Sequence, residues 1–272
     1  MQRKKAVLLK RKLSTMMFGM VLATSSYGIG VEVERRPAQT TLERVQQNRG
    51  NPAALADLLP ILRGSCVPNK YERILLTQLR DQQTTTKDFR RVADALTEVL
   101  AHKVVDCVDT SSVTIQTPVS ATMGEVFAKT IEVVSVMRSG DALLDVMLKH
   151  FPYASVSKFL IQRDEETAEP HFKYMKLSAS IASGSDVLIT EPMIATGGTL
   201  DMVIPLLKEK GVLEENIIVA CVCAAPEGVL KLCEKFPKIR VVMNVLDDCL
   251  NEKKYIVPGL GDFGDRYFGI LE

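Results

Sequence analysis

The sequence has few of the residues that build zinc or disulfide sites. It contains three histidines, His102, His150 and His171, and no H-E-x-x-H motif, so zinc chemistry has little support. None of its six cysteines belongs to a C-x-x-C pair. Cys221 and Cys223 lie in an apolar run, where strand alternation predicts that they face the same side of a sheet. The pattern favours buried, reduced thiols of the cytosolic type over metal ligands or disulfides.

An excess of positive charge is also missing. The 34 Lys and Arg residues nearly match the 33 Asp and Glu residues, and the net charge of +1 argues against a dedicated nucleic-acid binder. The two signs are unevenly distributed, because no acidic residue precedes Glu32 while residues 1–31 contain six basic ones. The remaining chain has 28 basic and 33 acidic residues, which gives it a net charge of −5.

The N-terminal region lacks an apolar stretch that is long enough for a membrane span. Residues 13–31 are uncharged but rich in Ser, Thr and Gly, and the basic start resembles a secretory signal or an organelle transit peptide. An unstructured extension, or a true start at Met16, Met17 or Met20, accounts for this composition as well.

The turn residues Gly50-Asn51-Pro52 predict a linker between this region and the folded protein. We therefore divide the chain into a basic leader, residues 1–50, that is disordered or targeting, and a domain of residues 51–272. We expect no membrane association of this domain and a cytoplasmic location, with organelle targeting by residues 1–31 as the alternative.

Hydrophobic periodicity predicts helices first, and alternating strands and helices afterwards. Residues 71–80 and 86–100 show helical spacing, and the Thr/Val/Ser-rich residues 110–130 favour a hairpin excursion. Strands are predicted at residues 131–137, 155–161, 186–190, 216–223 and 239–245, and helices between them at residues 143–149, 200–210 and 229–235. This alternation predicts an α/β fold with an open parallel sheet flanked by helices, in which ligands bind at the carboxyl ends of the strands.

The most informative segment is residues 187–199, V-L-I-T-E-P-M-I-A-T-G-G-T, which precede a predicted helix. A buried strand leads into Glu191, and then into a Gly-rich turn and a helix N-terminus. Glycine lets backbone N–H groups approach an anion closely, and the helix dipole favours negative charge. The pattern predicts a phosphate cradle, although it is not a P-loop, and a turn without a ligand is the alternative.

This segment resembles the phosphoribosyl-diphosphate (PRPP) motif of the type I phosphoribosyltransferases. Its single acid followed by proline is similar to the uracil phosphoribosyltransferase branch, and residues 255–269, Y-I-V-P-G-L-G-D-F-G-D-R-Y-F-G, resemble the uracil-binding signature of that branch. Residues 137–141, M-R-S-G-D, resemble its first arginine loop, and residues 162–170, Q-R-D-E-E-T-A-E-P, its second. The resemblance extends from about Lys70 to Glu272, and it implies the type I phosphoribosyltransferase-like fold with a small hood.

The resemblance implies a role for each segment. PRPP would be bound by Arg138, Arg163, Glu191, Pro192, Met193, Ile194, Ala195, Thr196, Gly197, Gly198, Thr199 and Asp262. Uracil would be bound by Ile256, Gly261, Asp262 and Phe263, and the expected catalytic residues are Arg138 and Asp262. Guanidinium groups bind phosphate oxygens bidentately, which suits both arginines to a leaving diphosphate. Mg²⁺ would be held mainly by PRPP, so no protein ligand is assigned, and the acids of residues 164–169 are interpreted as a solvated loop.

The implied activity is the transfer of the phosphoribosyl group from PRPP to uracil, which yields UMP and diphosphate in pyrimidine salvage. The resemblance also implies a homodimer or homotetramer, with GTP as an allosteric activator in some relatives. Two other functions stay open: a catalytically silent sensor of PRPP or nucleotides, and a transferase for another base. Glu191 motivates the sensor, because the family usually has Asp there and the extra methylene displaces the carboxylate.

Residues 259–264 also fit G-x-G-x-x-G, the dinucleotide fingerprint. They lie too near the C-terminus to open a helix and a following βαβ unit, so we do not interpret them as a dinucleotide site. We expect instead a loop whose main-chain N–H and C=O groups read the edge of uracil, since a mispaired buried polar edge discriminates strongly against other bases.

Overall fold

A computed structural model describes residues 37–163, 170–182 and 184–270. Within these ranges the helices are α1 Pro37–Gln47, α2 Pro52–Leu58, α3 Lys70–Arg80, α4 Thr86–Val105, α5 Asp141–His150, α6 Gly198–Glu209, α7 Pro226–Lys235 and α8 Phe263–Phe268. The strands are β1 Thr110–Gln116, β2 Ala121–Phe127, β3 Ile131–Met137, β4 Ser155–Arg163, β5 Pro170–Lys176, β6 Asp186–Thr190, β7 Met193–Ile194, β8 Ile217–Ala224, β9 Arg240–Leu246, β10 Cys249–Leu250 and β11 Ile256–Val257. The leader predicted for residues 1–31 lies outside the described residues.

A mostly parallel sheet forms the centre of the protein, with the strands in the order β5-β4-β3-β6-β8-β9. The short strand β7 pairs with the carboxyl end of β8, beyond the point where β6 has ended. All eight residues of β8 are buried, as is typical of a strand that is covered on both faces. The predicted α/β fold with an open parallel sheet and flanking helices is confirmed.

Two apolar clusters cover the two faces of the sheet. On one face, α3, α4, α5 and α8 contribute fully buried side chains such as Leu79, Phe89 and Leu143. On the other face, α1, α2, α6 and α7 contribute Val45, Leu55 and Val203, among others. The sheet therefore has no polar face, and the loops at the ends of its strands carry the groups that are free for chemistry.

Ordered structure begins before the boundary that we predicted at residue 50. Helix α1 precedes this boundary, and its Val45 is completely buried. The predicted linker is instead a turn between two packed helices, because Asn51 caps α2 by accepting a hydrogen bond from the Ala54 N–H at 3.2 Å. Tertiary burial of α1 and α2 makes this segment part of the folded unit.

The chain beyond α2 covers the outer edge of the sheet at β9. The Val241 N–H donates to the Ile61 carbonyl at 2.8 Å, and the Arg63 N–H donates to the Val241 carbonyl at 2.9 Å. Leu62 therefore forms a parallel bridge with Val241. Farther along, the Leu246 N–H donates to the Cys66 carbonyl at 3.1 Å. These contacts give the edge strand backbone partners that would otherwise be missing.

The opposite edge is strand β5, which has no counterpart in the sequence-based assignment. It runs antiparallel to β4 and alternates polar with aromatic or apolar residues. Phe172 and Tyr174 on this strand are 43% and 48% exposed. A strand with one neighbour and a solvated side does not show the continuous apolar run from which the central strands were predicted.

Strand β8 has an irregularity that the sequence did not indicate. The Val222 N–H and the Cys223 N–H both donate to the Pro192 carbonyl, at 2.9 and 3.1 Å, although the pairing register is the same on either side of this point. The alternation of side chains breaks here, and Val222 and Cys223 pack in the same apolar cluster. Cys221 and Cys223 therefore pack in different apolar clusters, and the prediction that they face the same side is wrong. Burial raises the pKa of both thiols, in keeping with the predicted inert thiols.

The predicted excursion is the antiparallel hairpin of β1 and β2. Its strands are almost entirely exposed, with apolar Val119 at its tip and Met123 on β2. In the part of the chain that the structure describes, no helix has the length and apolar character needed to cross a membrane.

Candidate active site

The predicted phosphate cradle, residues 195–199, lies where β6 gives way to α6. Glu191 follows the last residue of β6, is 6% exposed, and donates its N–H to the Ala220 carbonyl at 3.2 Å. The chain then continues along β8 as β7, and the Ala225 N–H donates to the Ile194 carbonyl at 2.9 Å. The predicted acid and the predicted cradle are thus fixed to the central strand on either side of the irregularity at Val222 and Cys223.

Gly197 makes the turn from the cradle into α6. Its φ of 72° is in the left-handed region, which favours glycine, and its carbonyl accepts the Asp201 N–H at 2.9 Å. Helix α6 therefore begins at Gly198, with Thr199 in its first turn. The first N–H groups of a helix have no acceptor within the helix, which suits this turn to a phosphate.

Helix α7 packs against the cradle at Gly228. A Cβ at Gly228 would lie 2.2 Å from the Ala195 carbonyl oxygen, and a Cβ at Gly197 would lie 3.3 Å from the Gly228 carbonyl oxygen. Lys231, one turn later, pairs with Asp201 and lies 3.5 Å from the Thr196 carbonyl oxygen. No local pattern in the sequence indicated that Gly228 contacts the cradle.

The first arginine loop, residues 138–140, follows the carboxyl end of the neighbouring strand β3. Its peptide bond between Met137 and Arg138 is cis. The Thr190 hydroxyl, at the end of β6, donates to the Gly140 carbonyl at 3.0 Å. A Cβ at Gly140 would lie 2.3 Å from the Thr190 carbonyl oxygen, so only glycine allows this approach. The loop is thereby held beside Glu191.

The side chain of Arg138 is 49% exposed and forms an ion pair with Asp265. It also lies over the ring of Phe268, with 5.9 Å between the guanidinium carbon and the ring centroid. An arginine at this exposure remains available to an incoming anion.

Helix α5 begins directly after the loop. The Asp141 carboxylate at its start accepts a hydrogen bond from Ser135 at 2.5 Å and pairs with Lys158.

The second arginine loop is described only at its start. Arg163 is the last residue of β4, so its backbone lies at the same carboxyl edge of the sheet as Arg138 and Glu191. The side chain of Arg163 and residues 164–169, which include the predicted solvated acids, lie outside the described residues.

The base loop, residues 255–264, contains the residues predicted to bind uracil. The side chains of Ile256 and Phe263 are 7% and 1% exposed, and the Phe263 ring packs edge-on against Phe89 with 5.3 Å between centroids. Because both side chains lie in the core, any contact of these residues with a base involves their main-chain atoms. Gly261 and Asp262 are exposed.

The prediction that residues 259–264 open no helix is wrong, because α8 begins at Phe263. The Asp262 carboxylate caps α8 by accepting the Asp265 N–H at 2.8 Å. Asp262 and Asp265 are the short polar residues that typically start a helix, so a cap signal was present in the sequence. No strand follows α8 within the described residues, and the segment forms no dinucleotide-binding βαβ unit.

The base loop and the first arginine loop are in contact. A Cβ at Gly264 would lie 3.5 Å from the Ser139 Cβ, and the ion pair of Arg138 with Asp265, the residue directly after the base loop, holds the two loops together. Since the first arginine loop is bonded to Thr190 beside Glu191, the cradle, the arginine loop and the base loop form one continuous site. Across the described part of the chain, no three His, Cys, Asp or Glu side chains cluster in a way that could hold a metal ion.

We expect Gly228→Ala to weaken PRPP binding by about tenfold or more, because the added methyl displaces the Ala195 carbonyl and overpacking of this kind costs about 1–3 kcal/mol. Isothermal titration with PRPP and Mg²⁺ would measure the dissociation constant. Gly124→Ala in the hairpin is the matched control, since its Cβ meets nothing closer than 3.7 Å. An unchanged dissociation constant for Gly228→Ala would contradict the role given to the cradle.

The region that carries these loops is similar to proteins of one family. The family model described as uracil phosphoribosyltransferase matches residues 66–270. A uracil phosphoribosyltransferase from Dictyostelium discoideum is 42% identical over 199 residues, which are 72% of this chain and 90% of the relative. A uracil phosphoribosyltransferase from Agathobacter rectalis is 41% identical over 192 residues, covering 70% of this chain and 90% of the relative.

A solved structure is similar as well. The AQ2163 protein from Aquifex aeolicus superposes with a TM-score of 0.67 at 29% identity, covering 74% of this chain and 96% of that protein. The family match starts close to the predicted limit at Lys70 and includes the cradle, both arginine segments and the base loop. With nearly the whole length of its relatives matched and these loops assembled in one site, the chain belongs to the uracil phosphoribosyltransferase family.

Proposed function

We propose that this protein transfers the phosphoribosyl group of PRPP to uracil. The observation that carries the proposal is the junction of three loops with complementary chemistry, through the Thr190–Gly140 hydrogen bond and the Arg138–Asp265 ion pair. This reaction requires that the protein bind a phosphate, a diphosphate and a planar base. The cradle, the arginine and the base loop suit these three groups in turn.

In this mechanism a ring nitrogen of uracil bonds to the anomeric carbon of PRPP while the bond from that carbon to the diphosphate oxygen breaks. The nitrogen loses its proton to solvent, and the products are UMP and diphosphate. Such transfers develop oxocarbenium character, so positioning and charge stabilisation dominate the catalytic work. No nucleophilic side chain is required, and none is assigned.

Each part of the site takes one portion of PRPP. Ala195, Thr196, Gly197, Gly198 and Thr199 hold the 5′-phosphate through backbone N–H groups and the start of α6. Glu191 accepts hydrogen bonds from the ribose hydroxyls, with Pro192, Met193 and Ile194 setting its distance from the cradle. Arg138 and Arg163 bind the diphosphate, where guanidinium forks stabilise the charge of the leaving group.

Mg²⁺ fits this site as an ion that PRPP brings with it. The described residues offer no cluster of three acidic, His or Cys side chains, and Mg²⁺ commonly binds through substrate phosphates with few protein carboxylates. When bound, the ion neutralises charge on the diphosphate. Asp262 is exposed, close to the contact of Gly264 with Ser139, and it would orient PRPP together with its bound ion.

Base selectivity comes from main-chain groups of the base loop. Ile256 and Phe263 keep their side chains in the core, while Gly261 exposes its backbone. A donor and acceptor pattern made by backbone groups matches the imide edge of uracil, and the exocyclic amine of cytosine meets the wrong partner there.

The exposed hairpin supports the proposed homodimer or homotetramer. Val119 at the tip is 92% exposed, and both faces of the hairpin carry exposed apolar side chains, Met123 on one face and Ile115 and Val126 on the other. Exposed apolar side chains that cluster on one element are typical of interaction surfaces, so we propose that the hairpin is covered by another subunit. The folded unit is proposed to start at α1, and the cytoplasmic location stays a prediction.

We expect purified protein with PRPP, Mg²⁺ and labelled uracil to form UMP, and Glu191→Asp to raise kcat/KM for PRPP by roughly tenfold. The shorter side chain restores the carboxylate position that is usual in the family, and misplacement by about 1 Å is costly. Glu191→Gln, which keeps the length but removes the charge, is the control and should lower kcat/KM.

Binding of PRPP without turnover, in both the wild type and Glu191→Asp, would decide for the sensor. Competition by cytosine, hypoxanthine or adenine that exceeds that of uracil would decide for another base. GTP activation also stays a prediction, which adding GTP to the same assay tests.

We expect Arg138→Ala to reduce kcat/KM for PRPP by about a hundredfold or more, because a donor to the leaving diphosphate is lost. The thermal unfolding midpoint should change little, since the side chain is half exposed and surface ion pairs contribute about 0–1 kcal/mol. Steady-state kinetics with varied PRPP would measure the effect. Lys149→Ala is the control, because it removes an exposed, ion-paired cation from the far end of α5, away from the loops. Equal kinetics in the two variants would refute the assignment of Arg138.

We expect Asp262→Ala to lower kcat by about a hundredfold, because the carboxylate that orients PRPP is removed. Asp262→Asn keeps an oxygen that caps α8, so it separates loss of the cap from loss of the charge. Single-turnover UMP formation would measure both variants. A fall in rate with Ala alone would show that Asp262 acts as a helix cap only.

A further inference from the structure

The base loop is attached at two points to the carboxyl end of helix α3, which lies outside the loops already described. One attachment runs through Asp247, the residue that follows β9, and the other through Arg266 on α8. Both are polar contacts of partly or fully buried groups, and neither contains a residue that the proposed mechanism uses.

Asp247 is the centre of the first attachment. Its side chain is 2% exposed and accepts three hydrogen bonds: from Arg80 at 2.5 Å on one oxygen, and from the Gly259 N–H and the Cys223 thiol, each at 3.0 Å, on the other. A buried carboxylate with this number of donors has one preferred orientation, because a rotation would leave a donor without its partner.

The hydrogen bond to Gly259 controls the path of the base loop. Gly259 has a φ of 59°, and a Cβ there would lie 2.2 Å from the Ile256 carbonyl oxygen. The tight turn directs the Gly259 N–H toward Asp247, two residues before Gly261. Asp247 therefore fixes the beginning of the segment whose main-chain groups are proposed to read uracil.

The irregularity in β8 brings Cys223 to this network. With regular strand alternation, the side chain of Cys223 would face the same cluster as Cys221. Burial first, and then the neighbouring charge of Asp247, raise the pKa of the Cys223 thiol well above its ordinary value. The thiol therefore stays protonated and donates to Asp247.

Arg266 makes the second attachment at the other end of the base loop. Its guanidinium donates to the carbonyls of Leu260 and Leu79 at 2.7 Å each, and to the carbonyl of Asp81 at 2.6 Å. It also lies over the Phe89 ring, with 4.4 Å between the guanidinium carbon and the centroid. The last carbonyls of α3 have no partner within the helix, and the guanidinium satisfies two carbonyls in that region.

We propose that Asp247, held by Arg80 at the end of α3, is a positioning residue that sets the base loop for uracil. Arg266 holds the other end of the loop against the same helix end. This inference rests on the proposed role of the base loop. Its consequence is that changes at Asp247 affect the use of uracil much more than the use of PRPP, because the Gly259 hydrogen bond acts on the base loop while the cradle is held by β7 and by Gly228 of α7.

The chain offers a matched control for this carboxylate. Asp186 is also 2% exposed and pairs with Arg240 at 2.6 Å, but it lies at the first residue of β6, at the opposite end of the sheet from the site. Asp247→Asn and Asp186→Asn thus remove the same charge from a similarly buried ion pair. A purely structural role of Asp247 predicts the same kinetic effect for both variants.

We expect Asp247→Asn to raise KM for uracil by about tenfold, with KM for PRPP changed by less than about twofold. Whichever way the amide is oriented, its NH₂ group faces the donor of Arg80 or the donors of Gly259 and Cys223, so the loop must shift. Asp186→Asn should leave both KM values within about twofold of the wild type. The measurements are steady-state kinetics on the full chain with each substrate varied, together with thermal unfolding of every variant.

Three further variants test the network if Asp247→Asn does not fold. Arg80→Lys keeps the charge but loses the planar fork, and it should raise KM for uracil by a smaller factor than Asp247→Asn. Cys223→Ser keeps a donor to Asp247 and should retain the wild-type KM, whereas Cys223→Ala should raise it. A lower unfolding midpoint with unchanged KM for uracil in Asp247→Asn or Arg80→Lys would overturn the positioning role.

The kcat of Asp262→Ala shows whether a negative result concerns only the role of Asp247 or also the proposed role of the base loop. If Asp262→Ala lowers kcat as expected while the Asp247 and Arg80 variants keep their uracil KM, only the positioning role is wrong. If Asp262→Ala has no effect, the base loop itself has been misassigned.

Discussion

Burial of the central sheet on both faces is the constraint on which the rest of this structure depends. Every residue of β8 is buried, the adjacent strand β6 is entirely buried, and β3 on the other side of β6 is nearly so. Polar groups within such a sheet carry a desolvation cost, so those inside it need partners, as when the Asn244 amide donates to Glu72, and others occur where strands end. At the carboxyl end these groups form the site, and at the opposite end they form closed pairs such as Asp186 with Arg240.

The three loops of the site are bonded to each other as well as to the sheet. Thr190 at the end of β6 donates a hydrogen bond to Gly140, and Asp265 on α8 pairs with Arg138. Gly228 on α7 allows the close approach of the Ala195 carbonyl in the cradle. Each link is short and involves a glycine backbone or a charged pair. A site assembled in this way holds its loops in fixed relative positions, and misplacement by about 1 Å can cost about a hundredfold in rate.

Much of the fold was predictable because buried parallel strands and amphipathic helices leave strong periodic patterns. The segments 131–137 and 186–190 agree with β3 and β6 residue for residue. Antiparallel β5 and the irregularity of β8 at Cys223 were not predictable from local pattern, because the first is a solvated edge and the second depends on the distant Pro192 carbonyl. In the candidate site, Glu191 and the Gly-rich turn could be identified from sequence, whereas Gly228 and Asp247 act through tertiary contacts that no local spacing encodes.

Because residues 61–63 pair with the edge strand β9, the position at which the chain is truncated affects this edge. The family match begins at residue 66, so the backbone groups that pair with Val241 lie outside it. A fragment cut at the family boundary would present the N–H and C=O groups of a hydrophobic edge strand to other chains, beside an apolar face stripped of α1 and α2. Uncovered edges of this kind promote strand-to-strand aggregation, which makes the segment before the family domain a protective part of the catalytic unit.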